Sequence, residues 1–592
     1  MKRSKHNNFA GVLEFFSLCW KYDKLYIIHL SLLQVYKIIL TLSTVLIPQH
    51  IIDSTFVDRN LSAAMLYIGG FCAAFLLFSF LSSLSKKLIY VHKMRIFKQF
   101  QLSIGDVMMH AEFAEIESKS FLDLKARAER FLYGDGSGFG SVIELFFELF
   151  GYIITLLTLS AIISQLNVLI ILLLILILGI NTVVNYRTQK KNIQVHREKA
   201  VQERRSFYYS TVTQDFRFGK EIRSFDLSGW LHEKFEAQLT KMEQFYKRLA
   251  NNGFCYETIV AITAAAQQLA AYTYVVVNGI KGAISVGQFS MYLTSISTFS
   301  STLKSIAQSI IQMQQYTQYY EDYKQYMGIK AISEEAVQQV PERFHTIEFR
   351  NVSFQYRGQT TYALRNVNLK IHAGDKILLV GENGAGKSTL VKLLLRIYKP
   401  TEGVILMDGV DIQDFSFAEY TQLFSTVFQD YKLFSFSLKD NIVLDRRENE
   451  ARISEILQDT GMKAKIDTLP HGLDTFVYRE FDDEGYTPSG GEGQRLAMCR
   501  AVYNSSSIVI LDEPTAALDP KTENELYQMF DSLFPNQTAF YISHRMASAK
   551  LCNRILVLQN GEVAEDGTHE ELIQQKGIYA KFFQLQADSY QI

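Results

Sequence analysis

A chain of 592 residues is too long for one hydrophobic core, so at least two domains are expected. Its 60 basic and 61 acidic residues leave a net charge of -1, which excludes a general affinity for nucleic acid or other polyanions. Five cysteines (Cys19, Cys72, Cys255, Cys499, Cys552) have neither paired nor metal-ligand spacing and read as isolated reduced thiols.

The N-terminus carries Lys2, Arg3 and Lys5 and then turns amphipathic without a small-residue cleavage site, so no removable signal peptide is expected. Phe9, Leu13, Phe16 and Trp20 fall near helical spacing and predict an interfacial helix. Leu25 to Ile52 predicts a first membrane span, ended by Pro48 and Asp53 and interrupted only by Lys37. Leu61 to Ser85 has no charge and is long enough for a second. The uncharged stretch from Leu149 to Tyr186 is too long for one crossing. Started near Val142 and broken at Gln165-Leu166-Asn167, it makes two spans and a tight hairpin. Thr258 to Asn278 and Ala283 to Leu303 supply the last two, rich in Ser, Thr, Gln and Tyr as for helices facing a cavity.

Basic residues set the orientation. Lys86 and Lys87 follow the second span, and Arg187, Lys190 and Lys191 follow the fourth, so both termini are expected in the cytoplasm. The long connections on that side read as helical and would carry the spans on the order of 35 Å beyond the bilayer. Lys37 lies about 18 Å along its helix from Leu25, too deep to snorkel, and intramembrane charge points to function. Glu144 and Glu148 are its candidate partners. Gln34 and Lys37 share a face of the first span, as Gln288 and Tyr292 do on the last, so these four are the candidate substrate-cavity residues. Such faces serve equally for helix packing.

After a charged connector the pattern changes to short strands. "DKILLV" runs as a buried strand into Gly381-Glu382-Asn383-Gly384-Ala385-Gly386-Lys387-Ser388-Thr389, a complete phosphate-binding loop between strand and helix. Its glycines let backbone N–H groups wrap phosphates, Lys387 reaches the β- and γ-phosphates, and the Ser388 hydroxyl can ligate Mg²⁺. A second apolar strand, Ser507 to Leu511, ends in Asp512-Glu513. The first acid there can hold the Mg²⁺ shell and the second can orient or deprotonate water.

Between these motifs stands Pro488-Ser489-Gly490-Gly491-Glu492-Gly493-Gln494-Arg495, and with it the chain resembles the ATP-binding-cassette transporter family over essentially its whole length. The resemblance implies that Ser489, Gly490 and Gly491 open a helix facing the γ-phosphate of ATP held by another subunit. It also implies that Tyr356 stacks on adenine and that Gln429 in "VFQD" links Mg²⁺ to the membrane domain. Asp519 in "AALD" and His544 in "SHR" would complete the site, His544 at the γ-phosphate. Pro488, Glu492 and Ala516 depart from the usual Leu, Gln and Ser, and Val477 to Gly485 lacks the usual Val-Gly-Glu, which bears on turnover rate.

The expected fold is an all-α six-span transmembrane domain followed by an α/β P-loop ATPase domain. The expected boundaries are 1–22 for a tail and elbow helix, 23–315 for the exporter-type membrane domain, 316–343 for the connector and 344–592 for the ATPase. Short coupling helices are expected near Ile116 to Phe121 and Thr213 to Lys220. The expected function is ATP- and Mg²⁺-dependent export of a small amphipathic or hydrophobic substrate, such as a peptide, across a bacterial plasma membrane by alternating access of a homodimer. The alternatives are a heterodimer, a lipid flippase, a multidrug exporter, or an ATP-gated channel or sensor. Membrane lipid and an unidentified substrate are the other partners, with no nucleic acid.

Overall fold

A computed structural model describes residues 8–133, 139–329, 331–332, 337–512, 528–530, 532–543, 549 and 551–589. The chain forms two compact units, Met1–Asp106 with Asp123–Gly328, and Val107–Leu122 with Ile329–Ile592.

The first unit is helical. Helix α1 (Asn8–Tyr22) leads into α2 (Lys24–Phe56), whose first turn is capped by Asp23 accepting from the Leu25 N–H at 3.0 Å. Then follow α3 (Leu61–His110), α4 (Phe113–Ile116), α5 (Lys119–Tyr133), α6 (Gly140–Ser164), α7 (Val168–Gln214), α8 (Gly219–Ser224), α9 (Ser228–Ile280) and α10 (Val286–Met327), of which α4 belongs to the other unit. Five described helices, α2, α3, α6, α7 and α9, are long and apolar enough to cross a membrane. Helix α10 packs along α6 and α2, and its Ser, Thr, Gln and Tyr content keeps it out of that group.

Pro48 does not end the helix of the expected first span: α2 runs through it to Phe56. Neighbouring helices in an apolar medium can resupply the contacts a proline removes. The break at residues 165–167 has a clear cause. The Asn167 side chain accepts from the Leu169 N–H at 2.8 Å, starting α7, and donates to the Tyr274 hydroxyl at 2.7 Å on α9. The short helices also sit slightly off their expected places. Helix α4 closes ahead of Glu117 because Ser118 accepts from the Phe121 N–H at 3.1 Å and starts α5. In the second loop α7 runs to Gln214, and Asp215 begins a 3-10 turn (Phe216–Phe218) that leads into α8. Near the chain ends of this unit, Phe15, Phe100, Phe131, Phe139, Tyr320 and Tyr323 form one buried ring cluster joining α1, α3, α5 and α10.

The second unit holds two sheets. Strands β1 (Thr346–Phe354), β2 (Leu364–His372), β4 (Glu402–Met407) and β5 (Val410–Asp411) form an antiparallel sheet in the order β2-β1-β4-β5. Strands β3 (Lys376–Val380), β6 (Phe424–Val427), β7 (Ile508–Asp512), β8 (Thr538–Ile542), β9 (Arg554–Gln559) and β10 (Glu562–Gly567) form the other, ordered β10-β9-β3-β8-β7-β6 and parallel except for β10. Helix α11 (Lys387–Leu394) lies in the core between the sheets. Helix α16 (Gly490–Asn504) covers the far face of the parallel sheet through Ala497, Met498 and Ala501. It also packs on a separate helical core made chiefly by α13 (Leu438–Val443) and α14 (Glu450–Asp459) with α15 (Lys463–Asp467), whereas α12 (Phe417–Thr421) joins the core between the sheets through Tyr420.

Candidate nucleotide site

In parallel α/β sheets, ligands bind beyond the carboxyl ends of the strands. Gly381 follows β3 directly, Gln429 stands two residues past β6, and Asp512 ends β7, so three of the expected residues share that edge.

The loop after β3 is shaped by its glycines. Gly381 and Gly386 have φ of 153° and 106°, and a Cβ on Gly386 would lie 2.6 Å from Leu364 Cδ2 and 2.8 Å from the Ala363 carbonyl oxygen. A Cβ on Gly381 would strike the Leu558 carbonyl. Only glycine fits both positions. Asn383 and Gly384 occupy the open crest of the loop, where a Cβ on Gly384 would meet nothing. The first helical bond after the loop runs from the Leu390 N–H to the Gly386 carbonyl at 2.9 Å, so the amides of Lys387, Ser388 and Thr389 stand ahead of it in the first turn, the part of a helix suited to receive a phosphate. Lys387 is buried, and its ammonium donates to the Gly381 and Glu382 carbonyls at 2.7 and 3.0 Å, across the mouth of the loop. This is the cradle a polyphosphate needs, so the residues present fit ATP.

Tyr356 packs edge-on against Phe354 and Tyr398 at 4.9 and 5.3 Å between centroids. Its hydroxyl bonds to Thr389 Oγ1 at 3.0 Å, which places the ring beside α11. Ser489 caps α16. Its hydroxyl and its N–H both donate to Glu492 Oε2, at 2.7 and 2.8 Å, and Lys465 Nζ stands 3.9 Å from the other oxygen. The bonds from Ser489 hold the Glu492 carboxyl below the usual carboxylate range. Glu492 therefore works here as an acceptor only, the capacity in which it matches the expected Gln. Gly490 and Gly491 form the first turn of α16. Glu513, Ala516, Asp519 and His544 lie outside the described residues.

Several residues that sequence reasoning missed belong to the same unit. Short helix α4 is fastened to the rest of the second unit. Tyr398 donates to Glu117 Oε2 at 2.6 Å, Lys399 to Glu112 at 2.6 Å and Arg357 to Glu115 at 2.7 Å, while Phe113 packs edge-on to Tyr398 at 5.7 Å. Burial first, and then Glu117, push the Tyr398 hydroxyl well above its ordinary value, so it stays a donor. Tyr398 thus touches both α4 and Tyr356. No single-sequence signal links residues 281 apart.

The four candidate cavity residues do not gather in one place. Gln34 lies under Gly151 of α6, where an added Cβ would come within 3.0 Å of its Oε1, and Lys37 pairs with Glu148 at 2.9 Å. Tyr292 is buried among Val45, Ile163 and Phe299. Gln288 accepts from the Ser285 N–H at 2.9 Å in the capping box of α10, next to Asp53, about 24 Å along α2 from Lys37.

Residues 364–516 match the family model described as ABC transporter. The subtilin transport ATP-binding protein SpaT of Bacillus subtilis is 31% identical over 437 residues, 72% of this chain and 70% of that protein. The ATP-dependent lipid A-core flippase of Escherichia coli (strain K12) is 38% identical over 242 residues, 40% of this chain and 41% of that protein. A solved structure described as a bacterial Atm1-family ABC exporter with ATP bound shares the fold at a TM-score of 0.80 and 20% identity, over 95% of this chain and 98% of that one.

Proposed function

Because this chain belongs to the ABC transporter family and joins exporter-type membrane helices to an ATPase fold, we propose that it hydrolyses ATP to export a substrate by alternating access of a homodimer. One observation supports this above others. Helix α3 runs unbroken from an apolar span into the 107–122 segment, and that segment is part of the ATPase unit, pinned there by Tyr398, Lys399 and Arg357. We infer that a change at the nucleotide loop is passed to that membrane helix through this segment.

In this reading Gly381, Asn383, Gly384, Gly386, Lys387 and Thr389 hold the phosphates, and Tyr356 takes the adenine. Ser388, Gln429 and Asp512 hold Mg²⁺, which supplies charge neutralisation to the phosphates. Glu513 activates water, Asp519 and His544 complete the γ-phosphate end, and Ser489, Gly490 and Gly491 close on the partner's ATP. Both termini and the ATPase face the cytoplasm of a bacterial plasma membrane. The likeness to a subtilin transporter favours a peptide or similar amphipathic substrate, with lipid flipping the second reading on the flippase relative.

The test is ATPase activity of the purified chain in liposomes across a panel of peptides, lipids and drugs. Glu513→Gln should keep ATP binding and reduce hydrolysis by orders of magnitude. Substrate flux without ATP consumption would identify a gated channel, and activity only with a second, different chain would identify a heterodimer.

A further inference from the structure

The roles above leave one well-placed side chain unused, between Gln429 and the signature helix. Tyr431 donates its N–H to the Phe428 carbonyl at 3.2 Å, closing a tight turn with Gln429 and Asp430 at its corners. Its hydroxyl donates to the Gly490 carbonyl at 2.9 Å, in the first turn of α16. The ring lies directly on that turn: a Cβ on Gly493 would sit 2.7 Å from Tyr431 Oη and 3.3 Å from Cε2. Half-buried, Tyr431 packs against both the parallel-sheet core and the separate helical core, so it stands where the two meet. The strand of chain that follows is tied to the same helix further along, by Arg500 donating to the Lys432 carbonyl at 3.1 Å and to the Asn441 carbonyl at 2.9 Å.

These contacts have a mechanical consequence. Tyr431 belongs to the turn at one end and its ring hydroxyl meets the Gly490 backbone at the other, with no second side chain between them. Closely packed groups of this kind shift together rather than deform. A rotation of the Gln429 turn therefore moves the start of α16, which carries Ser489, Gly490 and Gly491.

We propose that Tyr431 is a positioning residue that locks the Gln429 turn to the signature turn, so that each protomer presents Ser489–Gly491 to its partner according to the state of its own phosphate loop. The proposal rests on the reading of Gln429 and the signature as parts of two ATP sites. A tyrosine that merely filled space would do the same packing without its hydroxyl, and this is the difference to measure.

The experiment uses full-length protein in liposomes with Tyr431→Phe, Gly493→Ala and the double variant. Tyr431→Phe keeps the ring and should lower kcat about 3- to 10-fold, the kinetic equivalent of one hydrogen bond, with affinity for a fluorescent ATP analogue within about twofold. Gly493→Ala displaces the hydroxyl and should give the same split. The double variant should be no slower than the slower single, because both act on one contact. Turnover within about twofold of wild type in Tyr431→Phe overturns the proposal whatever Gly493→Ala does, as does a kcat loss matched by an equal loss of nucleotide affinity. Lys387→Ala separates the two levels. If it leaves turnover intact the ATP-site reading fails; if it abolishes turnover while Tyr431→Phe stays within about twofold of wild type, only the role of Tyr431 falls.

Discussion

Lys37 Nζ on α2 lies 2.9 Å from Glu148 Oε1 on α6, and one turn back Lys93 on α3 lies 3.0 Å from Glu144 on that helix. The ammonium placed among the cavity candidates thus already has one of its two expected partners as counterion, and the two pairs brace three helices. Lys37→Ala and Glu148→Ala should each destabilise the membrane unit by about 1 kcal/mol, the range of polar contacts between membrane helices. The exchange Lys37→Glu with Glu148→Lys should recover part of the loss. Thermal unfolding in detergent measures it, and an exchange variant less stable than both single variants would remove the pair from this role.

Lys387 bridges the Gly381 and Glu382 carbonyls with 2.7 and 3.0 Å bonds, so its charge already sits over the cradle. Lys387→Ala should weaken ATP binding by about 1.5–3 kcal/mol, the worth of a hydrogen bond to a charged group. Titration with a fluorescent nucleotide reads this directly, and unchanged affinity would exclude Lys387 as a phosphate contact.

Asp53 closes the start of α10 from another helix, accepting from the Gly287 N–H and the Ser285 hydroxyl, both at 2.9 Å. A carboxylate at a helix N-terminus also meets its positive end. Asp53→Ala should cost about 1–2 kcal/mol. Gly287→Ala should cost more, because its Cβ would press on the Gln49 carbonyl and come within 2.6 Å of Asp53 Oδ1. Unfolding midpoints of the two variants give the order.

Glu492 should make stability depend on acidity. Its carboxyl is lowered by the Ser489 bonds, so it binds protons less readily folded than unfolded. Its contribution is therefore complete above the unfolded value of about 4.3 and is lost as pH falls through the lower folded value. Glu492→Gln should show a constant stability difference from wild type above about pH 5 that narrows below it. Thermal scans across that range test the sign, and a gap that widens on acidification would reverse it.

The chain's own residues determine its local parts. The Gly381–Thr389 spacing, the uncharged runs and the cap chemistry of Asn167 and Ser489 each act within a few residues, where backbone geometry is set by near neighbours. Pro48 misled because a helix packed among neighbours can tolerate the backbone bond that a proline removes. Tertiary structure alone decided that Val107–Leu122 joins Ile329–Ile592 in the second unit, through pairs such as Tyr398 with Glu117, 281 residues apart. It decided likewise that Gln288 spends its amide oxygen on a cap and that Tyr292 is packing, although both share a polar helical face. Periodicity shows which residues share a face, but the partner of that face is chosen by packing among elements distant in sequence, where no local pattern reaches.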